Sequence, residues 1–389
     1  MKRRRVESNL HWNVIHEILL RLPVKSLVRF KCVCKSWHSL ISDSHFAKSH
    51  YELSAAPSHK LLQITFSDYE ARSFDVDASL QDDSFVVSLV PPLPKLVEYY
   101  AVIWGSCRGF VLIENKLDSM ERPHLTEEYQ NLYIWNPSTG FHRDLSYSEM
   151  GQECQNAESA ERLLIGFGYD PSADDYLVVV LWPKHDSNLA TRLVLFSLRT
   201  NSLKEIQGPH IPYYHIDNPS FLCNDAIHWL AYDENLLATV ILAFDLMKKN
   251  FYEISLPDGD FTDDFNYDYL GTMGGCLCLS RLHDSKTMVW IMKEYKVQSS
   301  WTMLEIPRCL SAVCMAKGGE LVALGFDEAE FMKFNDKGEL LARCEYDSDG
   351  QSRFEVAAYT ESLLSLPGNY DGSMEKPSTE ADQKKEGLN

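Results

Sequence analysis

The sequence predicts a mainly β protein that begins with a small helical module. Between residues 10 and 50, apolar residues recur at helical spacing. From about residue 60 the period changes to two, and Val, Ile, Phe, Tyr and Trp form short runs separated by Gly, Pro, Asn and Asp. The 389 residues are 45% hydrophobic, which is enough for a large buried core beside the small module.

Residues 10–50 predict three short helices, with Pro23 between the first and the second. A proline can open a helix because its missing N–H would be unpaired there anyway. The three apolar faces consist of Val14, Ile15, Ile18, Leu19 and Leu22, then Leu27, Phe30, Val33 and Cys34, then Trp37, Leu40 and Ile41. Ser42 and Asp43 are expected to close the third helix. Three such helices bury little apolar surface by themselves, so the module needs a neighbouring domain or a partner.

The β half contains a repeat, in which a strand carries an aromatic residue near its end and a polar turn and a short strand follow. The aromatic anchors are Phe74, Trp135, Phe196, Phe244, Trp290 and Phe334. Periods of roughly 40–50 residues with several strands each are typical of β-propeller blades. Polar inserts at 116–130 and 146–161 explain the longer spacings of the first three anchors, as loops extended from blades. The alternative is a β-sandwich, but a sandwich gives no reason for a repeat of this length.

The charge is distributed unevenly. Residues 1–50 contain ten Lys and Arg against three Asp and Glu, whereas the whole chain has a net charge of −19. A basic head and an acidic body indicate two units with different partners. The acidic body argues against nucleic acid and against anionic membrane surfaces as partners. The basic run from Lys2 to Arg5 is either a nuclear import signal or a solvated terminus.

The ten cysteines are irregularly spaced and mostly lie in apolar runs, which favours a reducing compartment over a disulfide framework. No signal peptide is visible, and the longest apolar run, 176–182, is far too short to span a bilayer. We therefore expect a location in the cytoplasm, the nucleus or both. The tail, 367–389, has almost no apolar residues and is expected to be disordered.

The helical segment resembles the F-box of plant F-box proteins. The run RLPVKSLVRFKCVCKSW, from Arg21 to Trp37, follows the form common in that group without gaps. The β half resembles the kelch-like F-box-associated (type 1) interaction domain of the same proteins, in GSCRGFVLIE, YIWNPSTG, FGYDPSADDYLVVV and AYTESLLSL. The resemblance extends to F-box/kelch-repeat and S-locus F-box-like proteins. It divides the chain into a basic extension (1–9), an F-box (10–50), a linker (51–59), a β-propeller-like domain (60–366) and the tail.

The resemblance implies a non-catalytic receptor subunit of a ubiquitin ligase. The F-box would bind a Skp-family adaptor, and through it cullin and RING subunits, while the β-propeller-like domain would bind an unidentified protein target. By position, the adaptor contacts would be Leu10, His11, Ile15, Ile18, Leu22, Pro23, Leu27, Val33 and Trp37. The family usually has Leu-Pro where this chain has Leu10-His11, so docking could be weaker or sensitive to protonation of His11.

The stretch 258–268, DGDFTDDFNYD, interleaves aspartates with aromatic residues. It lacks the Gly and the final Glu that a calcium loop requires. It is either a solvated loop between blades or a recognition loop for a basic target, in which aspartates steer and aromatics anchor. The candidate target-binding residues are Asp258, Asp260, Phe261, Asp263, Asp264, Phe265 and Tyr267.

No P-loop, GxSxG or HExxH motif occurs, and no cofactor or metal is expected. Cys32 with Cys34, and Cys276 with Cys278, are spaced too closely for paired zinc ligands and lie on apolar elements. The alternatives to a ligase receptor are an enzyme on a propeller scaffold, a ligase-independent binding protein, and a DNA-binding protein that uses the basic head. Salt-dependent duplex binding would favour the last of these, and we expect none.

Overall fold

The computed structural model describes residues 12–53, 59–65, 70–78, 86–93, 99–117, 131–146, 163–182, 192–209, 213–215, 219–233, 238–258, 268–325, 330–345 and 354–367. Residues 12–53 form a helical module, and all later described residues form a β-propeller. The helices are α1 (Trp12–Leu19), α2 (Val24–Phe30), α3 (Lys35–Ile41) and α4 (Ser44–Leu53). The extension 1–9 and the tail beyond 367 lie outside the described residues.

The fourth helix is a difference from the three that the sequence predicted, and Asp43 is its cause. Asp43 does not simply close α3, because its Oδ1 accepts the backbone N–H groups of His45 and Phe46, both at 3.0 Å. An aspartate in that role is a helix N-cap. The new helix buries Phe46, Ala47 and His50, and it runs to Leu53, beyond the expected boundary at residue 50.

The propeller has six blades, each an antiparallel sheet whose innermost strand lines a central channel. The first blade has β1 (His59–Thr65), β2 (Ala71–Asp75) and β3 (Val86–Leu89), and it is completed by β25 (Phe354–Thr360). The second has β4 (Tyr99–Cys107), β5 (Phe110–Leu117), β6 (Asn131–Trp135) and β7 (His142–Ser146), and the third has β8 (Leu164–Asp170), β9 (Asp175–Trp182), β10 (Arg192–Ser197) and β11 (Ser202–Gln207).

The remaining blades follow the same plan. The fourth has β12 (Tyr213–His215), β13 (Phe221–Cys223), β14 (Ala226–Asp233), β15 (Ala238–Asp245) and β16 (Asn250–Ile254). The fifth has β17 (Asp268–Met273), β18 (Cys276–His283), β19 (Lys286–Met292) and β20 (Trp301–Ile306), and the sixth has β21 (Leu310–Met315), β22 (Leu321–Gly325), β23 (Glu330–Phe334) and β24 (Leu340–Glu345). Both β12 and β13 pair with β14, so the inner edge of the fourth blade is split.

Strand β25 closes the ring. It pairs with β1 along its full length, from Thr360 opposite His59 to Phe354 opposite Thr65, and thereby supplies the innermost strand of the first blade. The same strand lies beside β4 of the second blade and β21 of the sixth. Residues from the two ends of the propeller chain therefore share one sheet.

The repeat deduced from the sequence corresponds to the blades. Each of the six aromatic anchors lies on the third strand of its blade, and each is buried; they are Phe74, Trp135, Phe196, Phe244, Trp290 and Phe334. They fill the apolar layers between neighbouring blades. The propeller prediction is thus confirmed, and the sandwich alternative is excluded.

Closure by β25 generates a stability prediction. A chain shortened to residues 1–345 lacks β25, so the apolar faces of the first blade lose their inner strand and remain accessible to water. We expect it to aggregate or to lose its cooperative thermal transition, measured by circular dichroism. A chain of residues 1–367, which keeps β25, is the matched control and should melt like the full chain. Equal midpoints for the two shortened chains would contradict the assigned closure.

Candidate protein-interaction surfaces

The helical module is joined to the propeller by a continuous apolar core. Leu19, Leu27 and Phe46 of the helices belong to the same buried cluster as Phe110 and Tyr176 of the second and third blades. Side chains buried to this degree each stabilise the fold by roughly 1.5–3 kcal/mol. The helices therefore do not form a free-standing unit.

Arg108 is the central polar contact between the two parts. It lies in the tight turn between β4 and β5, and its guanidinium carbon is 4.9 Å from the ring centre of Tyr51 in α4 and 4.0 Å from that of Tyr169 in the third blade. Both distances fall in the range of cation–π contacts. The guanidinium also donates a hydrogen bond to the hydroxyl of Tyr176. Burial raises the pKa of Tyr51 and of Tyr176, so both phenols stay neutral at physiological pH.

Asp174 adds a second polar contact beside Arg108. It lies in the turn between β8 and β9, accepts a hydrogen bond from the Tyr169 hydroxyl, and pairs with Lys48 of α4 at 3.8 Å and Arg199 at 2.6 Å. The hydrogen bond from Tyr169, with help from the two cations, holds the pKa of Asp174 below its usual value. The Lys48 pair is half exposed and contributes little stability by itself, but it links α4 directly to the third blade.

The segment after β25 also takes part in the contact between the helical module and the propeller. The side-chain amide of Asn136 donates to the carbonyls of Ser362 and Leu364, at 3.1 and 3.3 Å. Gly109 has a φ of +89°, and a Cβ there would lie 2.1 Å from the Cβ of Ser362. Glycine is required at this turn for both reasons.

The structure describes seven of the nine predicted adaptor contacts and places them in three environments. Ile18, Pro23 and Val33 are exposed, and the exposed fractions of Ile18 and Val33 are 48% and 59%. Ile15, Leu22 and Trp37 are partly buried against the core, with the Trp37 ring 5.4 Å from that of Phe30. Leu27 is fully buried, so in this structure its role is packing. Leu10 and His11 lie outside the described residues.

Trp12 and Val14 are exposed apolar residues that the sequence-based set did not include. Both lie on α1, and both are more than two-fifths exposed. Val14 and Ile18 share one face of the helix, whereas Leu19 is buried on another face. The sequence did contain a signal for this exposure, because α1 carries more apolar residues than a single buried stripe on a helix requires. We give the name exposed helical face to the four residues that share this exposure, Trp12, Val14 and Ile18 of α1 and Val33 in the turn after α2.

The two faces of the propeller differ in their connections. The turns after the inner strands and after the third strands lie on the side that bears the helical module, as the contacts of Arg108, Asn136 and Asp174 show. The connections that leave the opposite side include the three longest, 118–130, 147–163 and 255–267. We call that side the loop face.

The acidic stretch belongs to a connection on the loop face, between β16 and β17. Its first residue, Asp258, is exposed and accepts a hydrogen bond from Gln298 at 3.3 Å. Its last residue, Asp268, is buried and forms a bidentate ion pair with Arg281, at 2.6 and 2.8 Å. Asp268 is therefore a structural residue of β17 and not part of a recognition loop. Asp260, Phe261, Asp263, Asp264, Phe265 and Tyr267 lie outside the described residues.

Within the described ranges, no group of three or more His, Cys, Asp and Glu side chains is placed to hold a metal ion. Over the same ranges, no helix has the length and apolar character needed to cross a membrane.

Comparison with known families identifies both parts of the chain. The model of the F-box domain matches residues 8–49, and that of the F-box associated beta propeller domain matches residues 63–330, more than half of the chain. The chain therefore belongs to the F-box proteins that carry an F-box associated β-propeller. This organisation is that of the substrate-recognition subunits of Skp–cullin–F-box ubiquitin ligases, which are typically non-catalytic.

Its relatives include plant proteins of the same organisation. The chain is 31% identical to the F-box/kelch-repeat protein At3g23880 of Arabidopsis thaliana, over 77% of this chain and 80% of that one. It is 28% identical to the F-box protein CPR1 of the same plant, over 76% and 72%. Among solved structures it is similar to TolB from Acinetobacter baumannii, with a TM-score of 0.45 and 12% identity over 81% of this chain and 72% of that one.

The Arg108 contact can be tested with a double-mutant cycle. Arg108→Ala and Tyr51→Ala are each expected to destabilise the protein, and the two effects should not add, with a coupling energy of about 0.5–2 kcal/mol for the cation–π contact. The measurement is the free energy of unfolding in urea. Arg192→Ala, which removes an exposed ion pair with Glu205, is the control and should add to Tyr51→Ala. Additive effects for Arg108 and Tyr51 would contradict this interface.

Proposed function

We propose that this protein is the substrate receptor of a Skp–cullin–F-box ubiquitin ligase. The exposed helical face binds a Skp-family adaptor, and the loop face binds a protein target for ubiquitination. The protein itself contributes no catalytic group. The observation that carries the proposal is the exposure of four apolar side chains, Trp12, Val14, Ile18 and Val33, on a module whose core residues are buried against the propeller. Such a surface on a small module marks a partner site.

The geometry of the module supports this assignment. Ile18 and Val33 are solvent-accessible in the folded chain, and Leu22 and Trp37 of the same module are partly buried against its core. Because α4 is fixed to the propeller through Tyr51 and Lys48, the helices have a defined orientation relative to the blades. An adaptor bound to the exposed helical face would thus hold the propeller in one orientation.

The target site is proposed on the loop face, on the side of the propeller away from the helical module. Long connections carried by a rigid scaffold are where recognition residues concentrate. Asp260, Asp263 and Asp264 with Phe261, Phe265 and Tyr267 would favour a basic target, in which aspartates accelerate the encounter and aromatics supply contact area. A location in the cytoplasm or the nucleus stays a prediction.

Adaptor binding is tested by capture of a purified plant Skp-family adaptor. The variant Ile18→Asp with Val33→Asp places two charges on the exposed helical face, and we expect at least a hundredfold loss of affinity, because each charge would have to be desolvated at the interface. Both positions are exposed in the folded protein, so the melting temperature should change little.

The matched control places the same two charges on the propeller, as Val90→Asp with Leu341→Asp. These side chains are also exposed, at 84% and 54%, and this variant should bind adaptor like the wild type. If the folded wild type does not capture adaptor, or if the Ile18 and Val33 variant captures it normally, the proposal fails.

The acidic connection is tested by protein abundance in plant cells. Cells that express the Ile18→Asp, Val33→Asp variant in place of the wild type should accumulate the targets of the ligase. The second variant carries Asp260→Asn, Asp263→Asn and Asp264→Asn. Cells that express it should accumulate the same proteins if these aspartates contribute to target binding. Asp268 is left unchanged because its buried pair with Arg281 is structural. If the targets have wild-type abundance in cells that express the triple variant, these aspartates do not contribute to target binding.

A further inference from the structure

The propeller encloses a cavity of about 280 Å³ in its central channel. Five inner strands line it, and they come from every blade except the third: β4, β13, β17, β21 and β25. Its volume lies near the lower end of the range for small-molecule sites. The wall is mainly apolar, with Phe221, Leu270, Val313 and Phe354 among its residues, and hydroxyl groups come from Ser106, Ser220, Thr272 and Ser311.

One carboxylate lies in this wall, that of Glu355 on β25. Glu355 is a half-buried residue, and its carboxyl group is surrounded by protein atoms. It accepts a hydrogen bond from the backbone N–H of Ile103. Among the lining residues, which are all described, none is Lys, Arg or His, and Tyr269 is the only other titratable group. Glu355 thus lines a small, largely apolar space whose wall contains no basic side chain.

The backbone around Glu355 is built irregularly. Strand β4 has a bulge between Ile103 and Gly105, and the carbonyl of Trp104 at that bulge accepts both the backbone N–H and the hydroxyl of Ser220, at 2.8 and 2.6 Å. These two hydrogen bonds connect the split inner edge of the fourth blade, at Ser220, to β4 of the second blade. Bulges often occur next to functional sites, where they redirect a backbone group or a side chain.

We propose that the central cavity binds a small organic cation, a primary ammonium group on a compact apolar or aromatic body, with Glu355 as its counter-ion. The apolar wall would take the body of the ligand, and the serine and threonine hydroxyls would accept the remaining ammonium hydrogens. This site is distinct from the exposed helical face and does not depend on adaptor binding.

Three further properties support a cation. Burial raises the pKa of Glu355 to about 7, which means that the ionised form is costly there without a positive partner. The protein as a whole has a net charge of −19, which concentrates cations near its surface. The acidic connection 255–267 leads directly into β17, whose Tyr269 and Leu270 line the cavity.

The experiment uses probes that differ in charge at nearly constant shape. Benzylamine, 2-phenylethylamine and 3-phenylpropylamine are titrated into the full chain at pH 8 by calorimetry, beside 2-phenylethanol as the neutral analogue and phenylacetate as the anionic one. We expect at least one amine to bind tenfold or more tightly than the alcohol, and the anion not to bind. At pH 5.5 the same amine should bind at least fivefold more weakly, because Glu355 is then protonated while the amine stays charged.

Two variants assign the effect to Glu355. Glu355→Gln should abolish the preference for the amine over the alcohol, whereas Glu305→Gln, at an exposed position on the outer strand β20, should preserve it. Glu355→Gln is expected to remain folded. The raised folded-state pKa of Glu355 costs stability as pH rises from about 4.5 through 7, so the variant should melt no lower than the wild type at pH 8.

The proposal is overturned if no amine binds at millimolar concentration, if amine and alcohol bind equally, or if folded Glu355→Gln binds the amine like the wild type. If the protein binds adaptor normally but binds none of the amines, the proposed receptor function stands and only the proposed cavity site is rejected.

Discussion

Every other feature of this molecule depends on the pairing of β25 with β1, which converts a row of sheets into a ring. In the closed ring each blade packs against two neighbours, so side chains on both faces of its strands are buried. Strand β1 illustrates this. Leu62 and Ile64 pack toward the second blade, whereas Leu61 packs toward the sixth. Without the last strand, the first blade would expose both sets of side chains.

The ring also makes the helical module part of the same folded unit. Its buried residues share a core with the second and third blades, and the segment after β25 packs beneath the turn at Gly109. Arg108 converts this apolar contact into one with a preferred geometry, because a planar guanidinium between two tyrosine rings tolerates few orientations. The F-box and the propeller are separate families by sequence but a single body in space.

Much of this architecture could be predicted from the sequence, because periodicity reports local structure directly. The six aromatic anchors repeat once per blade since each blade must fill the same layer, so Phe74 and Phe334 could be aligned without coordinates. The fourth helix was missed because Asp43 closes one helix and caps the next, and spacing alone does not distinguish these roles.

The sites were less predictable, because they depend on residues that are distant in sequence. Nothing in the motif around Arg108 indicates that Tyr51, 57 positions earlier, will cover it. Leu27 fits the apolar pattern of the exposed helical face but is fully buried, since periodicity does not say which neighbour covers a given stripe. Asp268 belongs by composition to the acidic stretch, yet its partner Arg281 makes it structural. No sequence motif singled out Glu355, because the cavity wall comes from five blades.

The unequal faces of the propeller have a consequence for how such proteins can diversify. Turns on the side of the helical module hold residues with positive φ, among them Arg108 and Asp174, and a change at these two would disturb both the chain reversal and the helices packed on it. The three longest connections lie on the other side, and loop closure becomes only slowly more costly as a connection lengthens. Insertions and substitutions can therefore accumulate on the loop face without altering the module beneath. After gene duplication, a copy of this propeller could acquire new binding preferences by mutation of a few loops. The orientation of the propeller relative to the helices would stay fixed.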